Sequence, residues 1–118
     1  MRNFRDLEVW NLSRGLVKEI YFLMKTMPDE EKFGLTSQIK RSAISIPSNI
    51  AEGSAKKSNK DFSRFLEISL GSCYELETQL ILCSDVDLIT KEIIEEKIIS
   101  LQTLEKKITS FINYLATN

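Results

Sequence analysis

The chain has 118 residues, 42% apolar and 28% charged, with four glycines, two prolines and two cysteines. That composition excludes disorder, collagen-like repeats and a disulfide framework, and it fits one ordered domain over residues 1–118. Lysine and arginine number 16 against 17 acidic residues, and no histidine occurs, which removes Ser-His-Asp and Cys-His relays, His-ligated metal sites and the usual general base near neutral pH.

No apolar run approaches the ~20 residues needed to cross a bilayer, and the opening MRNFRDLEVW lacks an apolar signal core, so a cytoplasmic protein with no membrane partner is expected. Catalytic residues, metals, cofactors and a small-molecule substrate are likewise not expected. The net charge of −1 hides an asymmetry: residues 1–60 hold 11 basic and 7 acidic groups, residues 61–118 hold 5 and 10. This permits either head-to-tail complementarity between subunits or a basic patch.

From Asp6 to Met27, apolar residues fall at Val9, Leu12, Leu16, Ile20, Leu23 and Met27, with Trp10, Val17 and Met24 widening the stripe. The spacing predicts an amphipathic helix closed by Pro28. Asp29, Glu30 and Glu31 suit the first turn of a second helix, where exposed amides favour negative charge. Its apolar face is Leu35, Ile39, Ala43, Ile46 and Ile50, and it should end near Gly53. Pro47 lies inside this helix, where it removes one backbone hydrogen bond and crowds the Ala43 carbonyl, so a kink near residues 43–47 is expected.

After the hinge Ser54 to Lys57, Ser58 with Asp61 three residues on reads as an N-cap and an aspartate variant of the capping box. The third helix repeats cleanly through Phe62, Leu66, Ser69, Cys73, Leu76, Leu80 and Cys83, a coiled-coil-like seam. Small residues at Ser69, Gly71, Ser72 and Cys73 predict that a neighbouring backbone approaches closely there. Ten residues of helix place Cys73 and Cys83 ~15 Å apart, beyond disulfide reach, so both should be reduced and buried. A loop spans Ser84 to Ile89, Thr90 can cap a fourth helix, and Ile94, Ile98, Leu101, Leu104, Ile108, Phe111 and Leu115 form its stripe. No segment alternates as a strand would. The fold class is therefore all-α, an up-down-up-down antiparallel four-helix bundle.

The second helix carries another stripe, polar this time: Gln38, Arg41, Ser45, Asn49 and Glu52, with Ser72, Glu75 and Gln79 offering a comparable set on the third helix. Such a stripe reads either as a solvated face or, because it is rich in short amides and hydroxyls, as an oligomer interface in which Arg41 pairs with Glu52 or Glu75 of its own or a neighbouring subunit. Lys56, Lys57, Lys60 and Arg64 cluster at the turn between helices two and three, beside Lys40 and Arg41. They read either as solvation or as a nucleic-acid patch, one without interleaved aromatics for base stacking.

FRDLEVW (4–10), FGLTSQIKRSAISIPSNIAEGS (33–54) and FSRFLEISLGSCYELETQL (62–80), in that order and spacing, resemble the bacterial four-helix-bundle proteins encoded in intervening sequences of 23S ribosomal RNA genes. The SIPSNIAEGS stretch is the most specific part, and the fourth helix matches only as a generic amphipathic helix. The resemblance implies a homo-oligomer, commonly a ring-like pentamer with a central channel, and no assigned enzymatic activity. A related accessory protein of diversity-generating retroelements partners a reverse transcriptase and binds nucleic acid through basic surfaces; this chain departs from it in its acidic pI of about 5.6. The expected function is thus a non-enzymatic homo-oligomeric scaffold associating with RNA or a ribonucleoprotein, the alternative being a protein-only adaptor.

Overall fold

The four predicted apolar stripes turn inward and the helices bury them against one another, except that Leu12 of the first stripe stays exposed at the edge of its helix's inner face. The computed structural model describes residues 2–118. In chain order it contains a 3-10 turn (Phe4–Asp6), α1 (Glu8–Met24), a second 3-10 turn (Asp29–Glu31), α2 (Leu35–Ser54), α3 (Asn59–Asp85) and α4 (Lys91–Ala116), with no strand among the described residues. Contacts between helices fix an antiparallel order. Glu8 meets Lys107 and Glu19 meets Lys97, each at 3.2 Å; the Ser42 hydroxyl donates to Glu75 Oε1 at 3.0 Å and the Ser69 hydroxyl to the Ile46 carbonyl at 2.9 Å; Phe62 and Phe111 meet edge to face at 5.4 Å. The bundle measures 45 × 22 × 19 Å.

Three helix ends differ from expectation. α1 stops at Met24, yet Met27 still reaches the core from the connection. The acidic run does not open α2; it forms its own 3-10 turn, from which Glu31 Oε1 accepts the Leu35 amide at 3.3 Å, so a carboxylate still meets the amide-rich end of α2. Thr90 holds the extended N-cap position of α4 without a side-chain cap bond. At α3 the Ser58 hydroxyl accepts the Asp61 amide at 3.1 Å as expected, while the Asp61 carboxylate faces Arg64 at 3.5 Å.

The far end of α3 closes on a Schellman motif. Leu88 donates to the Cys83 carbonyl at 2.9 Å and Asp87 to Ser84 at 3.1 Å, with Asp87 in the left-handed region at φ 61° where glycine is usual. α2 continues helically through Pro47. Next to the proline, the Asn49 amide donates to the Ser45 carbonyl at 2.8 Å.

The close helix approach does not lie at Gly71, whose added Cβ would meet nothing within 4 Å. Of the predicted run it lies at Ser69, whose hydroxyl reaches the Ile46 carbonyl, and it is tightest at Gly53, where an added Cβ would sit 2.5 Å from Phe65 Cβ and 3.0 Å from Phe62. The small-residue run on α3 therefore turns only Ser69 and Cys73 fully inward. Both cysteines are free and buried. Burial, reinforced by nearby Glu105 and Glu77, pushes the Cys73 thiol up to about 12, and burial with Glu31 pushes Cys83 up to about 11; such thiols are inert at neutral pH.

Candidate oligomer and nucleic-acid interfaces

Because residues three and four apart share a helix face, the polar stripe of α2 falls beside its counterpart on α3. Gln38, Arg41, Ser45, Glu75 and Gln79 line one open groove of about 360 Å³, together with Ser42. Toward the C-terminal half of α2 the stripe is closed on itself: Ser45 and Ser72 hydroxyls share a bond at 2.8 Å, and Asn49 donates to the Ser45 hydroxyl at 2.9 Å. Glu52 is exposed and lies outside the groove.

The other half is open. Arg41 is exposed and, among the described residues, has no carboxylate within ion-pair distance, so its expected pairing is not made within the protomer. Glu52 stands eleven residues along α2, ~16 Å away, and Glu75 accepts from Ser42 instead. Gln79 is only 6% exposed, and its Oε1 has no hydrogen-bond partner. An unpartnered buried polar atom costs ~1–3 kcal/mol. Sequence reasoning missed Ser42, which sits at the border of the polar and apolar stripes, at helical spacing from Gln38 and Ser45 on one side and from Ile39 and Ile46 on the other.

Lys56, Lys57 and Lys60 are exposed at the α2–α3 turn. Lys56 stands over the Phe65 ring at 5.1 Å, and Arg64 is partly neutralised by Asp61. Lys40 and Arg41 do not join this cluster, since 16 residues of α2 separate Lys40 from Lys56 by ~24 Å; Lys40 covers Tyr21 instead. Arg2 does join it, donating to the Lys56 carbonyl at 2.6 Å and to Asn59 Oδ1, with its guanidinium 4.8 Å above Phe62. Nothing in the spacing of the N-terminal cations marks Arg2 for that role.

Folding converts the charge asymmetry of the chain halves into an axial one. The half of the bundle containing residues 2–14, 46–72 and 103–118 carries nine basic and six acidic side chains, and the opposite half, residues 15–45 and 73–102, carries seven and eleven. The molecule thus has a basic end at the α2–α3 turn and an acidic end at the α1–α2 and α3–α4 connections.

A third surface lies between α3 and α4, an open groove of about 690 Å³ lined by Tyr74, Gln102, Glu105, Lys106, Thr109 and Ser110. Burial first, then the neighbouring Glu77 carboxylate, push the Glu105 carboxyl up to about 8. No group of three or more metal-ligating side chains occurs among the described residues, and no helix there is long and apolar enough to cross a membrane.

Residues 5–110 match the family described as 23S rRNA-intervening sequence protein. The chain belongs to that family. It is also similar to a crystal structure of a protein of unknown function from the S23 ribosomal protein family of Bacteroides thetaiotaomicron, with a TM-score of 0.82 and 32% identity over 88% of this chain and 97% of that one. The comparison with curated proteins returns no match. Within this member of the 23S rRNA-intervening sequence family, the two longer segments carrying the sequence resemblance supply α2 and most of α3, the helices that build the polar groove. The SIPSNIAEGS stretch contains Ser45, Asn49 and the close-approach Gly53.

Proposed function

We propose that this protein is a non-enzymatic scaffold that assembles as a homo-oligomer, a pentamer, through the α2–α3 groove. The open half of that groove carries the reading: Arg41 is exposed there with no carboxylate in ion-pair distance among the described residues, and a neighbouring subunit can supply the missing carboxylate. The pentamer itself rests on the family resemblance. Light scattering at micromolar concentration is expected to give a mass several times 13.6 kDa, and a monodisperse species at the protomer mass overturns the proposal. Arg41→Ala is expected to shift the assembly midpoint at least ~10-fold in concentration, the equivalent of one charged hydrogen bond. Its effect on protomer folding should stay under ~0.5 kcal/mol because the side chain is exposed.

The basic end favours an RNA-facing surface on that scaffold. A ring holds its protomers in one orientation relative to its axis, so Arg2, Lys56, Lys57 and Lys60 would recur on each subunit, and several weak phosphate contacts would add by avidity despite the acidic protomer. Affinity for single-stranded RNA is expected to fall with salt by about −0.7 in log–log slope per phosphate neutralised, with little sequence preference. Lys57→Glu with Lys60→Glu should abolish binding at unchanged oligomer mass. If no RNA binds at ~50 mM salt, where phosphate contacts are strongest, the protein-only adaptor reading replaces this one.

A further inference from the structure

The acidic end carries the most exposed large apolar side chain of the described residues. Phe33, in the connection before α2, is 91% exposed, and Val86, in the connection after α3, is 61% exposed. Both connections are anchored, since Met27 on one and Ile89 on the other are buried in the common core, so these two side chains are held outward by an ordered frame. Phe33 has Lys32 against its ring at 5.6 Å and no aromatic partner. The two connections and the adjoining helix ends also carry the exposed carboxylates Asp29, Glu30, Asp85, Asp87 and Glu92, which outnumber exposed cations such as Lys32 and Lys91 there. An aromatic exposed to this degree inside a charged rim is the composition of a contact surface, with an apolar centre and a polar surround.

We propose that this end of the bundle docks a cationic amphipathic helix of another protein. Charge decides the class of occupant: a half-molecule with seven basic and eleven acidic side chains repels nucleic acid and anionic membranes and attracts lysine- and arginine-rich polypeptide. Size argues against a second copy stacked end to end. The cross-section of 22 × 19 Å allows ~400 Å² per side, about half of what a stable protein pair buries. A helix about 10 Å wide can cover Phe33 and Val86 with its apolar stripe while cations on its flanks reach the carboxylates of both connections. The small area makes the complex transient and salt-sensitive, with micromolar affinity.

The test uses the full chain and a fluorescein-labelled synthetic peptide with lysine and leucine placed at helical period, read by anisotropy. Saturable micromolar binding at ~50 mM salt is expected, weakening at least ~10-fold at ~300 mM as the charges are screened. Phe33→Ser should weaken it at least ~5-fold, in proportion to a lost aromatic anchor, with an unchanged melting curve, while Tyr114→Ser at the opposite end leaves it unaltered. Equal binding by Phe33→Ser, or by a scrambled peptide of the same composition, overturns the proposal. So does a low-salt self-association, seen by sedimentation, that Phe33→Ser abolishes, because the occupant is then a second copy. None of these outcomes depends on the α2–α3 groove or on RNA binding.

Discussion

Replacing Gly53 by alanine is expected to destabilise the fold by about 2–3 kcal/mol, lowering the melting temperature by roughly 10 °C. The added methyl would lie 2.5 Å from Phe65 Cβ and 3.0 Å from the Phe62 ring. Phe65 Cβ is attached directly to the α3 backbone, so no rotamer change removes it; the two helices must move apart. Phe62 is fully buried against Phe111 of α4, and separation at Gly53 therefore loosens a second helix contact. Alanine's better helix propensity offsets the clash by at most ~1 kcal/mol. Gly71→Ala supplies the matched control, because its methyl meets nothing within 4 Å, leaving only the propensity gain of ~0.5–1 kcal/mol. Thermal melts of the two variants should move in opposite directions, and a Gly53→Ala protein as stable as the parent would place the close approach elsewhere.

The contrast between these glycines marks what the sequence makes legible. Period locates the face of a helix, so the stripe residues from Val9 to Leu115 could be assigned inward with the exception of Leu12, which is 40% exposed, and the polar stripe of α2 could be recognised as one surface. Period does not set how deeply two helices interpenetrate. That depends on the phase of the partner, which is why, of the small residues on α3, Ser69 meets the α2 backbone and Gly71 meets nothing, while the tightest approach forms at Gly53, one residue before the end of α2. The same gap explains Gln79, whose side chain shares a face with Glu75 but is far more buried, and Arg2, whose partners lie 54 and 57 residues away in the chain. Charge shows it most clearly: the excess of cations in the first half of the chain is real, but antiparallel packing lays each helix beside a reversed neighbour and regroups those charges by end rather than by half.

Helix ends were the least legible because they are settled by single hydrogen bonds. Ser58 announces its cap through a side chain that reaches its own helix. The turn after α3 closes with an aspartate in a backbone conformation usually given to glycine, and the acidic run before α2 stabilises that helix from outside it, through Glu31. In each case the residue type is compatible with several geometries, and tertiary packing of Met27, Leu88 and Ile89 selects one.

Stability is expected to fall as pH rises from about 4.5 to about 8, and Glu105→Gln should remove much of that slope. The Glu105 carboxyl has its ordinary value near 4.5 in the unfolded chain and is held up to about 8 in the fold, by burial first and then by Glu77 across the α3–α4 contact. A group raised in this way keeps its proton in the folded protein over a range in which the unfolded chain releases it. Its contribution is therefore fully present below the unfolded value and is lost as pH climbs through the folded one. Other groups near it set the depth of the effect: Lys106 lines the same groove, while the buried Cys73 thiol remains neutral throughout this window. Glu105 is partly solvent-exposed, and discounting for that screening leaves about 2 kcal/mol between the two pH limits. Glutamine keeps the shape and cannot ionise, so the variant should match the parent near pH 4.5 and exceed it by about that amount at pH 8.5. Urea melts at the two pH values decide the matter, and a variant whose advantage is the same at both would mean that Glu105 does not hold a raised proton.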